Sequence, residues 1–165
     1  MSNFSSVNSL PSGDYAEVGV FQGDGAKEIS EWMNPDCRLW LVDSFQGHRE
    51  PSEFDNSGAH PKGRYSDTSP EIVRAKVPKA IIVKGYVPEV LASLYGCQFR
   101  YVRIDMDHYI PIKAASEFFK IRMVPGGIIE FDDYNCPDCP GANKAVDEVF
   151  GASNILGPVP HWINR

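Results

Sequence analysis

Short apolar runs bounded by glycine, proline and charge recur along the chain, and between them apolar residues repeat at helical spacing. "YAEVGV" (15–20) predicts a buried strand, followed by a glycine-rich turn and a helix reaching about Met33. "RLWLVDS" (38–44), "AIIVKG" (80–85), "FRYVRIDMD" (99–107) and "GGIIEFDD" (126–133) predict further strands. Val87, Val90, Leu91 and Leu94 fall at i, i+3, i+4 and i+7, which marks one face of a helix. Ile112, Ala115, Phe119 and Met123 line another helix, and Ala142, Ala145, Val146, Val149 and Phe150 a third. Nearly all-apolar strands alternating with helices predict a doubly wound α/β domain, a mostly parallel sheet with helices on both faces. A single domain is expected over residues 1–165.

Residues 44–70, "SFQGHREPSEFDNSGAHPKGRYSDTSP", break the alternation. So long a loop is as a rule functional or mobile. Its Ser, Gly, Pro and charge content also suits a disordered insertion.

Composition narrows the partners. Sixteen basic residues against 22 acidic leave a net charge of -6, which argues against a duplex nucleic-acid partner. No stretch approaches the roughly 20 apolar residues of a membrane span. The start, "MSNFSSVNSLPSG", lacks the basic flank and apolar core of a secretory signal. Four cysteines do not make a disulfide framework in a chain of this length, so a cytoplasmic setting is expected.

In a doubly wound sheet, ligands sit beyond the carboxyl ends of the strands. The first turn there, "EVGVFQGDGA", spaces Gly19, Gly23 and Gly25 as G-x-x-x-G-x-G, which is not the dinucleotide fingerprint G-x-G-x-x-G. Glu17 is a carboxylate inside an apolar strand and needs a partner. A ligand's ammonium would serve, and so would backbone amides or a nearby lysine. Asp43 closes the second strand, where an acid can accept ribose hydroxyls or cap its own turn. A nucleoside-containing ligand is expected.

Asp105 and Asp107 end the fourth strand, and Asp132 and Asp133 the fifth. Crowded carboxylates repel, and a bound hard cation such as magnesium resolves the repulsion. Some of these acids could instead cap the helices that follow. Cys136 and Cys139 form a Cys-x-x-Cys ahead of a helix, where thiolates are stabilised. A structural zinc needs four ligands, though, and Cys37 and Cys97 stand isolated before two different strands.

Taken in order, "EVGVFQGDGA", "LVDSFQG", "RYSDTS", "RIDMDHY", "PGGIIEFDDY" and "CPGANKAVDEVF" resemble the macrocin O-methyltransferase family over roughly residues 13 to 150. Its members are class I S-adenosylmethionine-dependent enzymes of Rossmann-like fold. They methylate hydroxyls, typically on sugars of natural products, with divalent metal help. The resemblance implies that Glu17, Gly19 and Gly23 hold the amino-acid end of S-adenosylmethionine, with Asp43 and Ser44 at its ribose. Gly85 and Tyr86 would contact adenosine, and Asp105 would also border the cofactor. Asp132, Asp133 and one of Asp105 and Asp107 would hold the metal. Set against that family, the chain reads as a compact form, shortened at both ends.

An alcohol needs its proton removed to attack a methyl group held in line. Asp107 and His108 are the leading catalytic candidates, and His48 and His60 in the long loop are further base candidates. The implied partner is a small-molecule hydroxyl acceptor, and a homodimer is left open. Three rival classes remain at this point. They are a nicotinamide-dependent oxidoreductase, a thiol-redox or zinc module, and an S-adenosylmethionine-binding protein without turnover.

Overall fold

Alternation along the central strands sends Tyr15, Leu41, Tyr101 and Ile128 to one side of a sheet. Ala16, Val42, Val102 and Ile129 go to the other. In the computed structural model, which describes residues 4–165, both sets are buried. The described residues form a six-stranded sheet of β1 (Asp14–Val18), β2 (Leu39–Asp43), β3 (Ile81–Lys84), β4 (Phe99–Ile104), β5 (Met123–Phe131) and β6 (His161–Ile163). Their order is β3-β2-β1-β4-β5-β6, parallel throughout except for β6, which runs antiparallel to β5.

Helices α1 (Asp24–Trp32) and α2 (Pro70–Lys76) cover the first side through Ala26, Ile29 and Val73. Helices α3 (Tyr109–Lys120) and α4 (Pro140–Phe150) cover the second through Ile112, Ala115, Phe119, Ala142, Ala145 and Val146. The expected doubly wound sheet with helices on both faces is therefore present. Among the described residues, no helix is long and apolar enough to cross a membrane.

Two local expectations shift, and one helix is added. The stripe of Val87, Val90, Leu91 and Leu94 is carried by a 3₁₀ helix, Glu89–Leu94. Pro88 and Gly96 bracket too few residues for a longer helix, and Leu91 and Leu94 still reach the core. Met123 is not on α3 but opens β5, where it pairs with Phe99. Helix α2 follows a start signal that is legible in hindsight. The Ser69 side chain accepts from the Ile72 amide, and Pro70 occupies the first turn.

Register sets the site. Val18 pairs with both Val42 and Ile104, and Ile104 pairs with Phe131. The four strands thus stop at one level, bringing Gly19, Asp43, Asp105 and Asp132 to one edge.

Candidate active site

The turn after β1 is shaped by close backbone approach. Gly19 has φ +86°, and a Cβ there would stand 1.6 Å from the Asp105 carbonyl oxygen. The ends of β1 and β4 lie this close only with glycine at position 19. Asp43 fastens the same turn to β2. Its Oδ2 accepts from the Val20 and Phe21 amides at 2.8 and 2.9 Å, and Oδ1 accepts from the Phe45 amide at 2.7 Å. Both roles foreseen for Asp43 are compatible with this placement, because the carboxylate also lines a cavity at the strand ends. Ser44 turns back on its own loop, its hydroxyl donating to the Gly47 carbonyl at 3.3 Å.

The cavity holds about 490 Å³, within the range of small-molecule sites. Glu17, Gly19, Asp43, Tyr86, Asp105 and Asp133 are among its walls. Glu17 is only 2% exposed. Among the described residues its Oε2 has no hydrogen-bond partner, and its Oε1 lies 4.0 Å from Arg103 Nε. No backbone amide or lysine among the described residues satisfies that Oε2. Burial pushes its carboxyl up to about 8, against the opposing pull of Arg103. Arg103 also pairs with Asp132 and lies 4.0 Å from Glu28 Oε2, so one guanidinium serves several acids. Sequence reasoning passed over Arg103, although a cation near the carboxyl end of the apolar run "FRYVRI" was a visible signal.

The four strand-end acids fall into two groups that share Asp133. Ligand oxygens of Asp105, Asp132 and Asp133 lie within 4.8 Å of one another. Burial, then the charges of Asp133 and Asp132, holds the Asp105 carboxyl well above its usual range. Asp133 is pushed up to about 6 by burial and then by the Asp107 charge. Both shifts come from burial and neighbouring carboxylates, opposed by Arg103 at Asp105 and by two amides at Asp133, and an all-oxygen set of this kind fits magnesium. Asp133 also accepts from the Met106 and Asp107 amides at 2.9 and 2.8 Å.

Asp107 faces elsewhere. It sits at φ +60°, a left-handed conformation costly for a non-glycine residue, and turns its carboxylate toward the long loop. There His48 Nε2 lies 3.0 Å from Oδ2 and His60 Nδ1 lies 3.1 Å from Oδ1. Burial raises the Asp107 carboxyl, but the His48 hydrogen bond and the charges of both histidines outweigh it and hold the group low. His108 Nε2 donates to the His60 carbonyl at 2.9 Å, and its ring lies 4.3 Å from that of His48. Its nitrogen is spent on fixing the loop.

Residues 44–69 carry neither helix nor strand, yet they are tied at several points. The His48 amide donates to the Arg64 carbonyl and the Gly63 amide to the His48 carbonyl, at 3.0 and 2.9 Å. Asp55 accepts from the Ser52 and Tyr109 amides, and Arg49 stacks 4.2 Å over Tyr86, beside Gly85. The segment thus walls the cavity instead of standing away as an insertion. Cys136 and Cys139 are free thiols. Burial and the Asp133 charge push the Cys139 thiol up, away from the thiolate a redox site needs.

No protein-family model matches the chain, and no curated protein matches it. Solved structures do. The calicheamicin methyltransferase CalS11, described in its apo form as a TDP-rhamnose 3'-O-methyltransferase, is 22% identical with a TM-score of 0.78, covering 96% of this chain and 74% of that one. The O-methyltransferase NovP is 23% identical with a TM-score of 0.76, covering 93% and 72%. The O-methyltransferase TomG from Streptomyces achromogenes, solved with S-adenosylmethionine, is 16% identical with a TM-score of 0.58, covering 92% and 66%. At these identities the likeness establishes the fold, the Rossmann-like one of class I methyltransferases.

Proposed function

We propose that the protein is an S-adenosylmethionine-dependent, divalent-metal-assisted O-methyltransferase acting on a hydroxyl of a sugar or other small natural product. The observation that carries this is Glu17, a buried carboxylate with an unpartnered oxygen in the wall of a cavity opened by a glycine turn. It suits the ammonium of an amino acid. Asp43 and Ser44 stand where a ribose would follow, and Gly85 and Tyr86 where adenosine would, all along one cavity.

The cofactor supplies a methyl group already activated on sulfur, so the chain must orient an acceptor oxygen and remove its proton. Asp105, Asp132 and Asp133 would hold a hard cation, which supplies charge to favour the deprotonated acceptor. Asp107 is ionised, lines the cavity and accepts the proton, with His48 Nε2 3.0 Å away to share it. His108 is a positioning residue, because it acts through the His60 carbonyl. A sugar hydroxyl is the favoured acceptor, from the similarity in fold to CalS11.

The test is transfer of isotopic label from methyl-labelled S-adenosylmethionine to a panel of nucleotide sugars and glycosides, with magnesium and with chelator. Label should appear on at least one acceptor, fall on chelation and vanish in Asp107→Asn. Tight cofactor binding without transfer to any acceptor would favour a binding protein without turnover.

A further inference from the structure

Beside the all-oxygen cluster lies a second group of donors of different chemical character. His48 Nε2, His60 Nδ1 and a carboxylate oxygen of Asp107 lie within 4.8 Å of one another. We propose that these three side chains form a separate binding site for a borderline divalent transition metal, with zinc as its type, built by folding the long loop onto the end of β4.

The spacing is that of ligands around a shared ion. A tetrahedral centre with bonds of about 2.0–2.1 Å separates its ligand atoms by about 3.3 Å. His48 Nε2 lies 3.0 Å from Oδ2 of Asp107 and His60 Nδ1 3.1 Å from its Oδ1, so a carboxylate binding through both oxygens brings the two histidines to one ion with a slight opening. His60 is 7% exposed, and its Nδ1 makes no hydrogen bond despite standing 3.1 Å from Asp107, because the approach is out of line. A buried nitrogen that close to a carboxylate, yet not aimed as a donor, is placed as a lone pair facing a cation. The other ring nitrogen of His60 is engaged as a metal-bound imidazole's outer nitrogen usually is. Its Nε2 lies 3.5 Å from the buried Cys139 sulfur, and in the tautomer whose Nε2–H donates to that sulfur, Nδ1 is free to ligate. Asp107 has a left-handed backbone, and its carboxylate meets the histidines while keeping Asp133 within 4.8 Å.

Two imidazoles and one carboxylate select zinc, cobalt, nickel or iron(II) over magnesium, which binds through oxygen. His48 and Asp107 line the cavity, so an open coordination position would face it. Occupancy would also take Asp107 out of proton transfer. On the proposed methyltransferase reading, zinc is therefore an inhibitor that leaves cofactor binding intact.

Calorimetric titration of chelator-stripped protein with zinc, in saturating magnesium, tests the site directly. One equivalent should bind, His60→Gln should weaken it by more than about 100-fold, and Cys139→Ala by roughly 10-fold, as for an outer partner. Asp132→Asn should leave it in place. X-ray absorption of zinc-loaded wild-type protein should show two imidazoles, a readout that needs no variant. Absence of stoichiometric zinc, a spectrum without imidazole, or binding lost in Asp132→Asn and kept in His60→Gln would overturn the proposal. Where methyl transfer is measurable, zinc should inhibit wild type and spare His60→Gln, and equal inhibition of the two would contradict it. S-adenosylmethionine affinity, measured separately, reports on the methyltransferase reading alone.

Discussion

A Cβ on Gly25 would stand 2.2 Å from Glu17 Oε1, so the first turn of α1 is kept bare to make room for a buried carboxylate. Helix propensity alone would favour Gly25→Ala by about 1 kcal/mol. The contact reverses that preference where function is concerned. Gly25→Ala should melt near wild type while losing about 10- to 100-fold in S-adenosylmethionine affinity, the value of one charge-assisted hydrogen bond. Paired melting and calorimetry separate the two effects. An affinity unchanged in this variant would remove Glu17 from the cofactor site.

Glu17 also sets a pH dependence. Its carboxyl is raised from 4.5 in the unfolded chain to about 8 in the fold, so the folded state binds the extra proton between those values. Stability contributed by this group is complete below about 4.5 and is lost as pH rises through about 8. Glu17→Gln should flatten that fall in urea denaturation curves taken from pH 5 to 9, a difference of a few kcal/mol at most. A ligand ammonium beside Glu17 would draw its proton off. Cofactor binding near pH 7 should then release protons in wild type and none in Glu17→Gln, as read from calorimetry in buffers of different ionisation enthalpy.

Much of this was legible in the strands and little of it in the loop. Apolar runs gave the parallel sheet, and residues at strand ends must converge once register is set, so Glu17, Gly19, Asp43, Asp105 and Asp132 were all nameable. The grouping of the acids was not. It depends on the left-handed turn at Asp107, which Asp133 holds through two backbone amides. The meeting of His48 and His60 at Asp107 was equally hidden, because a loop without periodicity carries no signal for where its side chains go. In the sequence Cys139 is half of a Cys-x-x-Cys ahead of α4. It is the N-cap residue there, and its sulfur also reaches His60 and Asp107.

The Asp133 contacts predict a structural cost apart from any metal. Asp133→Ala strips both amides of a buried acceptor and should destabilise the fold by about 2–3 kcal/mol in urea melts. Asp133→Asn keeps one carbonyl acceptor and should cost about half as much. Equal losses in the two variants would place the stabilisation in charge and not in the amide contacts.

The central claim is that the cavity at the strand ends is a site for S-adenosylmethionine next to a hard-cation site. Calorimetry of the purified protein with S-adenosylmethionine, with and without magnesium and with NAD as comparison, tests it most directly. The account predicts stoichiometric S-adenosylmethionine binding, weakened in Glu17→Gln, and a magnesium response lost in Asp132→Asn. Binding of NAD in place of S-adenosylmethionine, or of neither, would contradict it.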